Sequence, residues 1–356
     1  MKTINIGNRL IGDKQPLYFI ADIGANHDGS LERAYKLIEL AKESGADAAK
    51  FQNFQANKIV SKTGFENMGG QLSHQANWKK SVFEVYEDAS VAFEWTSKLK
   101  EKCNEVGIDY FTSAYDFESV DHVDQFVDLY KIGSGDITWI EIIEYIARKN
   151  KPVIIAAGAS YMTDVVRAMN AVEAITNDVV LMQCNTNYTG SADNFNYINL
   201  NVLNTFKQRF PNVILGLSDH TSGHATVLGA LALGATIFEK HFTDDNFREG
   251  PDHKFAMNPT TWRDMVDRAN ELYVALGDGI KVIEENEKKS LLVQRRSIRV
   301  VRDVKPGDIL SLNDLEVLRP IPIDGFPPYM INKIVGKKVI SPIKSGEHLT
   351  KNNIQL

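Results

Sequence analysis

The chain has 356 residues, 43% hydrophobic and 24% charged, with a net charge of −6. This is the composition of a soluble globular protein with one large domain or two ordinary ones. The mild negative charge gives no footprint for nucleic acid or an anionic membrane as partner, though a small anionic substrate is still compatible with a local pocket. Cys103 and Cys184 are the only cysteines and lie far apart, which excludes a disulfide framework and fits a reducing compartment. The start of the chain lacks the apolar run of a signal peptide, and no stretch nears the roughly 18 apolar residues of a membrane span. The expected location is the cytoplasm.

Strand-like and helix-like segments alternate from Tyr18 to about residue 277. The expected strands are Tyr18–Asp22, Ala46–Gln52, Ile108–Ser113, Leu129–Ile132, Val153–Ala156, Val179–Cys184, Val213–Ser218 and Ile237–His241. Between them Leu31–Ser44 carries apolar residues at Leu31, Ala34, Leu37, Ile38 and Ala41, one face of a helix. Segments 91–106, 137–149, 163–175 and 260–276 follow the same spacing. Eight strands alternating with helices predict a (β/α)8 barrel occupying residues 1–280. A doubly wound sheet is the alternative, but it usually has fewer strands, and no Gly-x-Gly-x-x-Gly follows the first one. The connection from Gln55 to about Ala89 is long and polar and contains Asn67-Met-Gly-Gly70, which predicts a lid or substrate wall. A charged segment over 281–294 reads as a linker or helix. From 295 to 356 short β-type runs are cut by Pro and Gly, as in Lys305-Pro-Gly-Asp308 and Lys344-Ser-Gly-Glu347, which predicts a small β-rich domain.

Polar residues gather where the barrel places the carboxyl ends of its strands, the usual location of a barrel active site. His220 and His241 each end an apolar run, on two successive parallel strands joined by a helix. Neighbouring strands lie about 4.8 Å apart, which brings both imidazoles within reach of one ion. Lys50 and Gln52 share a side of the second strand because side chains alternate. Lys50 and Lys131 inside barrel strands each need an anion. Nearby carboxylates would serve, as would a phosphate or carboxylate ligand with Ser113, Ser134 and Ser218 as further donors.

These motifs resemble the sialic acid synthase (nonulosonate synthase) family. The resemblance rests on Asp22-Ile-Gly-Ala-Asn-His-Asp-Gly29, Gly45-Ala-Asp-Ala-Ala-Lys-Phe-Gln52, Tyr130-Lys-Ile-Gly-Ser-Gly-Asp136, Gly216-Leu-Ser-Asp-His-Thr221, Glu239-Lys-His-Phe-Thr243 and Gly250-Pro-Asp252. The last 60 residues resemble the antifreeze-like (SAF) domain that follows the barrel in that family. The resemblance implies a synthase that condenses phosphoenolpyruvate with an N-acylated amino-hexose. It implies His220 and His241 as ligands of Mn2+ or Mg2+, and Lys50, Ser113, Lys131, Ser134 and Ser218 as holders of phosphoenolpyruvate. Gln52, Tyr188 and Asp252 fall near the sugar and a metal-bound water. Asp22 and Asp136 match acidic catalytic or sugar-binding positions, and Arg319 matches an arginine that enters the partner's site in a domain-swapped homodimer. The chain departs from the family in carrying Asp at both acidic positions, where Glu is common. It also has Ala156-Ala157-Gly158 for Ser/Thr-Thr-Gly, and Asn185-Thr186-Asn187-Tyr188 after the sixth strand. The alternatives are a synthase of another 3-deoxy-ulosonate and a non-catalytic sugar-binding relic.

Overall fold

The computed structural model describes residues 2–68, 71–72, 75–76 and 78–356. An N-terminal hairpin, β1 (Thr3–Ile6) and β2 (Arg9–Gly12), precedes eight further strands. These are β3 (Tyr18–Asp22), β4 (Ala48–Asn53), β5 (Asp109–Ala114), β6 (Tyr130–Ile132), β7 (Val153–Ala156), β8 (Val179–Cys184), β9 (Ile214–Asp219) and β10 (Ile237–His241). They form one sheet in the order β5-β4-β3-β10-β9-β8-β7-β6, with parallel pairing throughout. The two end strands, β5 and β6, come into contact, so the sheet is a nearly closed eight-stranded barrel. All five observed β3 residues are buried, as are all six of β8 and β9, because helices cover the outer face and side chains fill the interior.

The helices form where cap and periodicity agree. Leu31–Glu43 starts at Ser30, whose side chain accepts from the Arg33 amide, and it buries Ala34, Leu37, Ile38 and Ala41 against the barrel. Pro259–Ala275 starts with a capping box between Asn258 and Thr261 and has proline in its first turn. The hairpin was not anticipated. It adds Ile4, Ile6 and Ile11 to the core at the amino-terminal end of the barrel. Gly12 has φ +115°, and a Cβ there would sit 2.8 Å from Ile214 Cδ1, at the start of β9.

The 55–89 connection is more ordered than its composition predicts. It contains helices Ala56–Ile59, Lys62–Asn67 and Val82–Ala89, the last two started by Ser61 and Ser81. Local caps outweigh the polar, glycine-containing composition. Gly69 and Gly70 of the quoted Asn67-Met-Gly-Gly70 lie outside the described residues.

One compact unit ends at Gly277 and a second spans Asp278–Leu356. The second unit has its own core around Ile298, Val300, Val304, Ile334 and Ile343. Its antiparallel pairs are β11 (Ser297–Val300) with β12 (Leu315–Leu318) and β13 (Lys338–Val339) with β14 (Ile354–Gln355). Gly307 and Gly346 turn the chain at φ +101° and +83° in Lys305-Pro-Gly-Asp and Lys344-Ser-Gly-Glu. In each turn the fourth residue's carboxylate accepts from the lysine amide, at 2.9 and 2.7 Å. Residues 281–294 hold a turn and a short helix, Lys288–Gln294. Among the described residues no helix is long and apolar enough to cross a membrane.

Outward from the barrel, Lys240 of β10 and Asp219 of β9 form an ion pair, both about 2% exposed. Thr221 and Thr226 donate to the same Asp219 oxygen at 2.7 Å. Breaking one partner of such a pair leaves an uncompensated charge. Asp219→Ala should therefore lose about 3–5 kcal/mol of stability in urea unfolding, and Asp219→Asn less. An unshifted unfolding midpoint would show that the pair contributes nothing.

Candidate active site

The parallel register lays the polar residues in one row across the sheet. Asp22 is paired with Lys50 on one side and His241 on the other. One position beyond the Lys240–Asp219 pair, His220 follows β9 beside His241. Two residues lower on β10, Glu239 pairs with Ser218, which pairs with Cys184 of β8. Alternation sends Asp22, Lys50, Ser218, His220, Glu239 and His241 to the barrel interior, and Asp219 and Lys240 outward.

Their contacts form one charged network. Lys50 Nζ donates to Asp22 Oδ2 at 2.6 Å and lies 3.9 Å from Glu239. Lys131 Nζ donates to Glu239 Oε1 at 2.9 Å, and Ser218 Oγ donates to the same oxygen at 3.2 Å. The imidazole rings of His220 and His241 are 5.4 Å apart, and Tyr188 stands 4.2 Å from the first. Asp22 and Asp252 flank His241 at 3.5 and 3.4 Å. Although burial opposes it, Lys50 and His241 hold Asp22 below the usual carboxylate range, and Lys131 and Lys50 do the same for Glu239. Against the same penalty, His241 holds Asp252 down to about 2. Asp136 differs: burial raises it to about 6, and the more distant Lys131 offsets this only in part.

The arrangement surrounds a cavity of about 390 Å3. Ten of the thirteen expected site residues line it: Asp22, Gln52, Lys131, Ser134, Asp136, Tyr188, Ser218, His220, His241 and Asp252. Lys50 and Ser113 do not; each is 1% exposed, behind the lining. The two lysines, alike in sequence, therefore differ in access. Arg319 is an exposed residue of the second unit, directly after β12. Glu239 was overlooked by the sequence reading. Its signal was available, since it stands two residues before His241 on the same face of a buried strand. Ile59, Trp78, Val85, Tyr86 and Ala89 supply a wall from the 55–89 connection.

The donor set suits a divalent ion. His220 Nδ1 lies 2.7 Å from the Asn185 carbonyl, which only accepts, so the ring proton sits there and Nε2 offers its lone pair. Burial, with His241 adding to it, lowers His220 to about 4, keeping it neutral. His241 Nδ1 is buried and has only the Asp252 carboxylate beside it, at 3.4 Å. Three carboxylates (Asp22, Glu239, Asp252) face two ammoniums (Lys50, Lys131), and against burial Asp22 and Asp252 draw the His241 imidazole toward its charged form, a demand that a divalent cation would also meet. Among the described residues no three His, Cys, Asp or Glu side chains converge as a complete ligand set, so water or substrate would fill the rest of the shell.

Fold and site together define a (β/α)8-barrel enzyme followed by a small SAF module. The NeuB family matches residues 37–281 and the SAF domain residues 295–355. The chain belongs to the NeuB family. It is 33% identical to an N,N'-diacetyllegionaminic acid synthase of Campylobacter jejuni, over 92% of this chain and 97% of that one. It is 32% identical to a pseudaminic acid synthase of the same species, over 99% of this chain and 100% of that one. The solved N-acetylneuraminic acid (sialic acid) synthetase of Leptospira borgpetersenii superposes with a TM-score of 0.71 at 25% identity, over 82% of this chain and 95% of that one.

Asp136 gives this site a pH signature. Its pKa in the folded protein lies above the ordinary 3.8, so its protonated form stabilises the fold below that value, and the contribution is lost as pH rises through about 6. The stability of the wild type relative to Asp136→Asn should fall between pH 4 and 7 in urea unfolding. A difference that does not change with pH would show an ordinary carboxylate.

Proposed function

We propose that this protein is a nonulosonic acid synthase, a carbon–carbon bond-forming transferase that joins phosphoenolpyruvate to an N-acylated amino-hexose and releases phosphate. The observation that carries it is the make-up of the cavity: Lys131, Ser134 and Ser218 share it with His220 and His241, and the neighbouring Asp22 Oδ1 and Glu239 Oε2 are buried without hydrogen-bond partners. Folded proteins leave few such atoms; unpartnered carboxylate oxygens call for a cation or for the hydroxyl donors of a sugar, while an ammonium with hydroxyl donors suits a phosphate or carboxylate. The relatives' products, diacetyllegionaminic and pseudaminic acid, favour a 2,4-diacetamido-2,4,6-trideoxyhexose acceptor, with N-acetylmannosamine as the other candidate.

In this reading Lys131, which reaches the cavity, meets the phosphate and carboxylate of phosphoenolpyruvate with Ser134 and Ser218, while Lys50 fixes Asp22 from behind. His220 and His241 would hold Mn2+ or Mg2+, which when bound acts as a Lewis acid on the sugar aldehyde. Gln52, Tyr188 and Asp252 orient the sugar so that its aldehyde carbon faces C3 of phosphoenolpyruvate. As that bond forms, C2 becomes positive, and ionised Asp22 stabilises the charge. The aldehyde oxygen takes up a proton as it becomes a hydroxyl, and the water adding at C2 gives one up. Asp136, titrating near 6, is suited to deliver the first and receive the second. Loss of phosphate from the adduct leaves a 3-deoxy-2-keto acid.

A synthase acting on an aldose phosphate would need a second basic cluster. Among the described residues lining the cavity, Lys131 is the only lysine or arginine. A relic without turnover is separated by assay. Phosphate release from phosphoenolpyruvate should appear with an N-acylated hexose from a panel, with product mass reporting the joined acid, and no release with any sugar would reject the synthase. Excess chelator should abolish turnover and Mn2+ restore it. Lys131→Met should raise the KM for phosphoenolpyruvate more than tenfold, from a charge-assisted contact of about 2–5 kcal/mol, and more than that for the sugar. Equal shifts would make Lys131 a structural residue.

Arg319 is proposed to complete the partner's site in a domain-swapped homodimer, where its guanidinium would grip a sugar carbonyl or hydroxyl. Inactive Arg319→Ala and His220→Ala proteins should then partly restore activity when their subunits exchange, because one site in the hybrid has both residues. Exchange without recovery would place the arginine in its own chain's site or in none.

A further inference from the structure

Asp252 enters the site on the segment that follows β10, and that segment has an unusual anchorage. Arg248 and His253 bracket Asp252 in sequence, and both bind one carboxylate, that of Asp28 in the loop after β3. Arg248 donates from Nε to Asp28 Oδ2 at 2.8 Å, with its second nitrogen 2.7 Å away. His253, fully buried, places Nε2 2.8 Å from Asp28 Oδ1, and its Nδ1 meets Thr243 Oγ1 at 2.7 Å. Arg33 holds the same carboxylate at 3.1 Å and reaches Asp244 at the other end of the segment at 3.0 Å. Little space is left for adjustment. A Cβ on Gly250 would lie 2.6 Å from His253 Cδ2, and one on Gly24 would lie 2.9 Å from Asp252 Oδ2. Asp28 itself holds a left-handed backbone, φ +50°, uncommon for a residue with a side chain and indicative of a conformation fixed by its surroundings.

We propose that Asp28 is a positioning residue: one carboxylate fastens both sides of the 248–253 loop and thereby sets Asp252 against His241. Asp28 does not line the cavity, so it touches no reacting atom and acts through Asp252. Two different oxygens serve the two anchors, so a shift of either anchor pulls on the other through a rigid planar group. The same loop after β3 brings the Ala25 amide within 3.4 Å of Asp252 Oδ2, so the latch also fixes Asp252 relative to the strand that supplies Asp22. The consequence for the reaction rests on the synthase reading; the latch itself does not.

The test has two arms. In Asp28→Ala, amide hydrogen exchange in peptides covering residues 244–257 should accelerate by roughly tenfold or more, while helices Leu31–Glu43 and Pro259–Ala275 keep their protection. With phosphoenolpyruvate saturating, the KM for the acceptor found in the sugar panel should rise about tenfold with a smaller change in kcat. The same substitution placed in Asp252→Ala should change that KM by less than about twofold, because residues acting as one unit are not additive. Where Asp252→Ala is too slow to assay, calorimetric binding of that sugar replaces KM. Asp28→Asn, retaining one oxygen, and Arg248→Ala, releasing one anchor of the loop, should give intermediate exchange, and they decide the matter if Asp28→Ala does not fold. Unchanged exchange in residues 244–257 would overturn the latch. Effects of Asp28 and Asp252 that multiply would overturn its action through Asp252. If the wild type turns over no sugar, the synthase reading fails, and the exchange measurement still judges the latch.

Discussion

The register of β10 between β3 and β9 is the constraint on which the site depends. A one-residue slip of β10 would send Glu239 and His241 outward and bring Lys240 into the barrel. In the register observed, Lys240 finds Asp219 outside while Asp22 touches both Lys50 and His241 inside. Two charge networks, one on each face of the same strands, therefore agree on a single alignment. Buried ion pairs are weak sources of stability, since desolvation offsets most of their attraction. They are effective at rejecting alternatives, because every misaligned register leaves a lysine or carboxylate in the core without a counter-charge.

Within the inner network similar groups have dissimilar tasks. Lys50 and Lys131 are both strand lysines, but the first is sealed behind Asp22 and the second opens on the cavity. Asp22 and Asp136 are both aspartates at strand ends. Asp22 is surrounded by cations and stays ionised, while burial raises Asp136 to about 6, offset only in part by Lys131. Pairs of carboxylates pushed apart in this way give one site both a fixed charge and a titrating group. Ala156, the last residue of β7, and Ala157 after it offer no hydroxyl. Ser134 Oγ accepts from the Gly158 amide at 3.0 Å, so the turn after β6 places a hydroxyl against the end of β7.

The candidate site draws its residues from many separate segments, and the surrounding loops show how these are held. Each strand supplies one or two polar side chains, and the connections then have to hold those side chains still. The 55–89 connection instead walls the cavity with residues on and beside its short helices. The segment after β10 does the holding by tying Arg248 and His253 to Asp28. Such ties are charge-assisted and partly buried, the setting in which hydrogen bonds are strongest.

Much of this was legible in the sequence. The strand count, the barrel, the adjacency of His220 and His241 and the inward direction of Lys50 and Gln52 follow from hydrophobic periodicity and side-chain alternation, which are local properties of the chain. The β-rich character of the last 60 residues follows from the spacing of Pro and Gly. The N-terminal hairpin was not legible, because ten residues of ordinary composition become a hairpin only when a barrel end is there to cover. Glu239 was passed over because a carboxylate beside a lysine and a histidine reads as surface charge until the strand is known to be buried on both faces. Which carboxylate neutralises which lysine, and why Asp28 sits between Arg248 and His253, were decided by tertiary structure alone. Those contacts join residues up to 225 positions apart, and no local pattern encodes a distance that only barrel closure sets.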